Sequence, residues 1–220
     1  MVKSKVPISF EFFPPRNDAQ RKTLWATWER LSRLNPRYLS VTFGAGGSSV
    51  DATLQAVRDL LDKSGVPVAP HISCMAQDRD MLCSLLNSYL KAGVERIVVL
   101  RGDRPEGAIT PGPFQYASDL VRFVQQEFPN EFHIEVACYP EFHPESTSPE
   151  SEFKYFKEKV DAGADGATTQ YFYNSDCYFQ FLDDCERHGI DIPITPGIMP
   201  ITNYKGLERF SALCGLSLIH

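Results

Sequence analysis

Lys91-Ala92-Gly93-Val94-Glu95-Arg96-Ile97-Val98-Val99-Leu100 holds one complete joint of the fold. Just upstream, Met81, Leu82, Leu85, Leu86, Tyr89 and Leu90 recur at three- and four-residue steps, the period of an amphipathic helix. Gly93 ends that helix, because glycine accepts the left-handed backbone of a helix stop. Arg96–Leu100 then reads as a strand. Ile97 to Leu100 are apolar on both faces, as expected for a parallel sheet covered by helices.

The same unit repeats on both sides. Candidate strands are Ile8–Phe13, Tyr38–Phe43, Val66–Ile72, Arg96–Leu100, His133–Cys138, Ala167–Phe172 and Ile192–Ile198. Their starts lie about 25 to 37 residues apart, the length of a βα unit. Leu24, Trp28, Leu31 and Leu34 give the first helix its apolar stripe, and Gly65, Gly163 and Gly189 close further helices as Gly93 does. Seven βα units favour a (β/α)8 TIM barrel over a doubly wound sheet. No Gly-x-Gly-x-x-Gly follows a strand, which weakens the dinucleotide-fold option. A closed barrel needs an eighth strand, so the chain reads as a fragment, or as one whose last strand comes from elsewhere.

Composition narrows the class. The 220 residues are 43% hydrophobic and 23% charged, fitting one soluble globular domain. A net charge of −6 argues against general nucleic-acid binding and against a basic membrane patch. No apolar run is long enough to span a bilayer, and Met1-Val2-Lys3-Ser4-Lys5 leads into the first strand without a signal-peptide core. Six cysteines lie scattered, with no Cys-x-x-Cys, and read as buried hydrophobes of a cytoplasmic protein.

Glu11 interrupts the apolar run Ile8-Ser9-Phe10-Glu11-Phe12-Phe13, which Pro14-Pro15 ends at once. A carboxylate buried there must find a partner or hold a proton near neutral pH. Two readings follow: a structural Glu paired with a buried Arg or Lys, or a carboxyl of raised pKa serving as a general acid.

Barrel enzymes carry their chemistry at the C-terminal ends of the strands. Here those ends are polar: Thr42-Phe43-Gly44-Ala45-Gly46-Gly47, Pro70-His71-Ile72-Ser73-Cys74, Leu100-Arg101-Gly102-Asp103, Tyr139-Pro140-Glu141-Phe142-His143-Pro144-Glu145, Thr169-Gln170-Tyr171-Phe172-Tyr173 and Pro196-Gly197-Ile198-Met199-Pro200. Each piece has a plainer reading. The glycines can be a flexible loop, His71 a satisfied core histidine, Arg101 and Asp103 a local ion pair, and His143 a loop residue. The plain readings leave the convergence on one rim unexplained. No His-x-x-x-His or His-x-His supports a metal site, and no serine stands in a nucleophile elbow.

Taken in order, these pieces together with Ser9-Phe10-Glu11-Phe12-Phe13-Pro14-Pro15-Arg16 resemble the methylenetetrahydrofolate reductase family across nearly the whole chain. The resemblance implies one flavin-binding barrel domain over residues 1–220, C-terminally incomplete relative to the family. It implies FAD as cofactor, NADH or NADPH as co-substrate, a folate substrate, a homo-oligomer and a place in methionine synthesis. By the same matching, Glu11 is the acid that helps open the folate ring, and Asp103 the carboxylate beside the flavin. Gln170 and Phe210 touch substrate. Thr42, Phe43, Ala45, His71, Leu100, Arg101, Gly102, Asp103, Tyr116, Ala117, Ala137, Tyr139, His143, Glu152, Tyr155 and Lys159 line the FAD, with Lys159 paired to its pyrophosphate.

The chain also departs from the pattern. Glu152 stands where bacterial members commonly carry Asp, and Gly206 where some members use Gln against folate. Outside the resemblance, two further readings remain: a catalytically impaired relative acting as a binding or assembly subunit, and another barrel enzyme such as an aldolase or isomerase.

Overall fold

The computed structural model describes residues 6–43, 50–74, 78–102, 113–214 and 216. Strands and helices alternate along the chain. They run β1 (Ser9–Phe12), α1 (Asp18–Leu31), β2 (Tyr38–Val41), α2 (Val50–Ser64), β3 (Val68–Ser73), α3 (Arg79–Lys91), β4 (Arg96–Leu100) and α4 (Ala117–Glu127). β5 (His133–Cys138), α5 (Pro149–Asp161), β6 (Gly166–Thr169), α6 (Ser175–Arg187), β7 (Ile194–Thr195) and α7 (Tyr204–Leu213) follow. All seven strands pair in parallel, in sequence order from β1 to β7. That is the strand order of a (β/α)8 barrel, with seven units among the described residues.

Register divides each strand into two faces. Leu39, Val41, Ile72, Ile97, Val99, Ile134, Val136, Cys138 and Ala167 belong to one buried cluster with helix residues such as Val57, Leu60, Leu82, Leu86, Leu120, Val124 and Phe156. At about 1.5–3 kcal/mol per large apolar side chain buried, this layer between sheet and helices is the main source of stability. The opposite face carries Glu11, Ser40, Ala69, His71, Val98, Glu135 and Gly166, which succeed one another through the strand pairings. The sequence reading of strands apolar on both faces therefore holds for β4 and fails for its neighbours. The inner face is largely polar, and alternation along each strand separates it from the apolar layer.

Near the N-terminal ends of the strands, Glu135 is buried and accepts from Arg96 Nη1 at 2.5 Å, with His133 Nε2 at 3.3 Å and Thr168 Oγ1 at 3.4 Å. The Arg96 guanidinium also covers the Tyr38 ring at 4.9 Å. Gly166 makes room for this carboxylate: a Cβ there would lie 3.2 Å from Glu135 Oε1.

The helix stops match expectation, with Gly65, Gly93, Gly163 and Gly189 all at positive φ. Two helix details differ. Met81 is exposed on α3, since Asp78 caps the helix through the Met81 N–H and places that residue in the first turn. Leu34 ends a short 3₁₀ turn after α1 and is also exposed. β7 is two residues long, shorter than Ile192–Ile198, because Pro193 and Pro196 remove donors on either side. Beyond it, Gly197 N–H donates to Thr169 Oγ1 at 2.9 Å, and its missing side chain admits the Thr169 carbonyl.

Candidate active site at the C-terminal rim

Glu11 lies on the inner face near the end of β1. Its carboxylate meets Ser40 Oγ at 3.4 Å and His71 Nε2 at 3.2 Å, from the two strands beside it. The Glu11 side chain is 56% exposed and the His71 side chain 9%. Partial desolvation pushes the carboxyl up, but His71 and Ser40 outweigh it, so Glu11 sits below the ordinary carboxylate range. This corrects the expectation of a buried carboxyl of raised pKa. Glu11 is one residue from the strand end, where the inner face opens to solvent, so the apolar run around it does not enclose it.

Two polar atoms at these strand ends are covered from solvent. Thr42 Oγ1 and His71 Nε2 have no hydrogen-bond partner among the described residues. His71 approaches the Glu11 carboxylate at 3.2 Å outside hydrogen-bond geometry, a contact that becomes an ion pair only when the imidazole carries a proton. A covered polar group without a partner calls for a water, an ion or a ligand to complete it, as also at Tyr89 Oη in the core.

The next stretch of rim is built around Arg101. Its carbonyl accepts from Ser73 Oγ at 3.0 Å and from Cys74 Sγ at 3.1 Å, which ties the ends of β3 and β4 together. Burial pushes the Cys74 thiol up to about 11. The Arg101 guanidinium forms a bidentate pair with Glu145 at 2.6 and 2.9 Å, which raises its pKa further. Glu145 is thus its carboxylate partner among the described residues; Asp103, which the sequence reading had offered, lies outside them. Gly102 follows at φ 79.

The loop after β5 is held from below. Buried Glu152 accepts from His143 N–H at 3.2 Å and from Ser146 Oγ. Tyr139 and His143 meet edge to face at 4.7 Å. Burial pushes the Tyr139 phenol up to about 12; burial, then the Arg101 charge, pushes the His143 imidazole down. Phe142 takes φ 67, the kind of local strain, about 1–3 kcal/mol, found at ligand sites.

Further out, Tyr116 and Tyr155 stack at 5.6 Å, and each is 41% exposed. The Asp119 carboxylate fixes the approach to Ala117 and α4 by accepting the N–H groups of Gln115 and Tyr116. Lys159 donates to the Ala137 carbonyl at 2.6 Å, and burial pushes its ammonium below the ordinary range. Its charge thus serves the backbone of β5 under the rim. Gln170 accepts the Tyr171 N–H, and Phe210 stacks on Tyr171 at 5.9 Å while Tyr171 hydroxyl meets Ser211 at 2.9 Å. Phe43 and Leu100 are half-buried beside the rim. Asp103 and Ala45 lie outside the described residues.

The structure brings Glu11, Thr42, His71, Arg101, Tyr139 and His143 to the same strand ends. Sequence reasoning missed Ser40, Ser73, Cys74 and Glu145 as their supports. Ser40 had a signal, a hydroxyl in the apolar run Tyr38-Leu39-Ser40-Val41; Glu145 stood within a polar strand end, but its pairing with Arg101 had no signal, because α4 and β5 lie between the two.

The family model described as methylenetetrahydrofolate reductase matches residues 1–219. The chain belongs to that family. It is 40% identical over 217 residues to the 5,10-methylenetetrahydrofolate reductase of Escherichia coli (strain K12), covering 99% of this chain and 72% of that protein. It is 36% identical over 225 residues to methylenetetrahydrofolate reductase (NADH) 1 of Arabidopsis thaliana, covering 96% of this chain and 38% of that protein. Among solved structures, oxaloacetate acetylhydrolase matches with a TM-score of 0.58 and 10% identity, over 94% of this chain and 81% of that one. 2,3-Dimethylmalate lyase matches with a TM-score of 0.57 and 10% identity, over 94% and 77%. These last two likenesses show the fold alone. Among the described residues no helix is long and apolar enough to cross a membrane.

Proposed function

We propose that this chain reduces 5,10-methylenetetrahydrofolate to 5-methyltetrahydrofolate with FAD at the barrel mouth and NADH or NADPH as reductant, a step that feeds methionine synthesis. Residues 1–220 act in this reading as one flavin-binding barrel domain within a homo-oligomer. Family membership supports the folate chemistry. The observation that carries the cofactor is a pair of covered atoms at the strand ends: Thr42 Oγ1, which has no hydrogen-bond partner among the described residues, and His71 Nε2, whose one contact there is the exposed Glu11 carboxylate at 3.2 Å, outside hydrogen-bond geometry. They fit a planar polar ring system that brings its own donors and acceptors. Arg101 and the Tyr116–Tyr155 stack supply a cation and an aromatic platform nearby.

FAD bound there supplies hydride transfer from the nicotinamide to the folate. The chain's own residues do the rest. Thr42, His71, Arg101 and Gly102 bind at the strand ends, with Asp103 and Ala45 joining them. Gln170 and Phe210 orient the substrate. Glu11 delivers a proton to the leaving nitrogen of the folate ring, and a ligand over the mouth desolvates its carboxylate and so favours the protonated form.

The test is direct. The purified chain takes up added FAD with a flavin spectrum and then shows two half-reactions, reduction by NADH or NADPH and reoxidation by 5,10-methylenetetrahydrofolate. Glu11→Gln slows the folate half by about 10²–10⁴-fold, the usual cost of a lost general acid, and the nicotinamide half far less. A folded chain that takes up no FAD refutes the reading, as does equal slowing of both halves.

A further inference from the structure

The groups acting on Glu11 among the described residues are Ser40 and His71. They differ in kind. Ser40 offers a hydroxyl at 3.4 Å, which can orient the carboxylate but not titrate. His71 offers a ring nitrogen at 3.2 Å that is shut off from water. The imidazole is fixed in a strand whose six residues are all buried, in register with Val98. Glu11, by contrast, is more than half exposed, one residue from its strand end. A proton on His71 Nε2 therefore has the Glu11 carboxylate, and not solvent, within reach. Glu11 connects that covered nitrogen with the open mouth.

We propose that His71 is the positioning and proton-holding partner of Glu11. The inference rests on the folate-reducing role proposed for this site. In the proton step, the Nε2–H bond of an imidazolium breaks and an O–H bond forms at Glu11 Oε2. Glu11 then loses that proton to the leaving nitrogen of the substrate ring. The step ends with a neutral imidazole, a carboxylate and a protonated amine, so charge is conserved and no oxidant is needed. Solvent recharges the pair through Glu11, the exposed member. Ser40 holds the carboxylate in the arc between imidazole and mouth.

Two measurements test this. The first uses the chain without flavin. Infrared titration, with Glu11→Gln as the difference reference, follows the Glu11 carboxylate band. Its midpoint moves up toward the ordinary carboxylate value in His71→Gln or the smaller His71→Asn, because the imidazole that holds it down is gone. An unmoved midpoint overturns the proposal. If neither variant folds, the coupling is read from the exposed side, where Glu11→Gln removes no buried group. The ring ¹⁵N resonances of His71 then titrate differently in the native and Glu11→Gln proteins, and superimposable titrations overturn the proposal.

The second measurement compares half-reactions at saturating FAD. Since His71 also borders the flavin position, the decisive quantity is the ratio of folate to nicotinamide rates, which falls about tenfold or more in His71→Gln, within the range for proton-transfer groups. A parallel fall in both rates shows a flavin contact and nothing more. A native chain that binds no FAD sinks the folate reading instead, while the infrared titration still tests the pair.

Discussion

Replacing Arg96 with Met tests whether the polar inner face is held by compensated charge. Glu135 is 7% exposed at its side chain and Arg96 19%, so the pair lies in an environment where hydration cannot replace a lost partner. Breaking a buried pair from one side costs about 3–5 kcal/mol, because the remaining charge is left uncompensated. His133 at 3.3 Å and Thr168 at 3.4 Å still face Glu135, which places Arg96→Met near the lower end, about 3 kcal/mol. At about 2–4 °C per kcal/mol for a chain of this size, the melting point falls by about 6–12 °C. The double variant Arg96→Met/Glu135→Leu removes both charges and keeps much of the volume, and Gly166 leaves space beside the new Leu. It recovers most of the loss, giving a coupling energy of about 2–3 kcal/mol, since apolar replacement of a whole buried pair is often neutral. Urea unfolding of native, single and double variants, with an unchanged m-value, measures this. Because the pair lies at the end of the barrel opposite the rim, FAD uptake per folded molecule stays the same. A loss under about 1 kcal/mol for Arg96→Met, or a double variant no better than the sum of the singles, refutes the reasoning.

Three further outcomes follow from the rim. Thr42→Val removes a covered hydroxyl that has no described partner, so the ligand-free chain gains stability, up to about 1 kcal/mol by denaturation, while its FAD affinity drops in a fluorescence titration; a loss of stability would show that the hydroxyl is already satisfied. Glu145→Gln frees Arg101 from its bidentate pair, and since Glu145 is 61% exposed the gain in affinity for FAD is modest, about two- to fivefold; weaker FAD binding would mean that Glu145 presents Arg101 to the ligand. Cys74 has a folded pKa raised from 9.0 to about 11, so its contribution is fully present below pH 9 and is lost as pH rises toward 11, where the unfolded thiol has ionised and the folded one has not. At about 1.4 kcal/mol per unit this reaches roughly 2–3 kcal/mol, and Cys74→Ala shows a correspondingly flatter decline between pH 9 and 11.

Much of the fold was legible because its signals are local. The helix-ending glycines stand at positive φ where the sequence called for it, and the run Ile97 to Val99 is buried. The inner face was not legible as polar, because Ser40, His71, Glu135 and Thr168 are separated by long stretches of sequence and acquire a common face only through strand register. The support of Arg101 was hidden for the same reason: α3 separates it from Ser73 and Cys74, and α4 and β5 separate it from Glu145.

Glu11 and Glu135 show where the reading of a single segment stops. Both are carboxylates inside apolar strands, Phe10-Glu11-Phe12 and Ile134-Glu135-Val136, and both point to the inner face. Burial should force either one to take a partner or a proton. Glu135 meets that condition with Arg96, so the plain alternative first considered for Glu11, a structural pair with an arginine, is realised at Glu135 instead. Glu11 escapes it by lying at the open end of its strand, where its partner is a titratable imidazole. The difference is depth along the barrel axis. A carboxylate near the N-terminal end of the strands is enclosed and becomes part of the frame, whereas one at the C-terminal end stays open to water until a ligand covers it. Desolvation of Glu11 is then an event of binding rather than of folding, and its proton affinity rises only once something occupies the mouth.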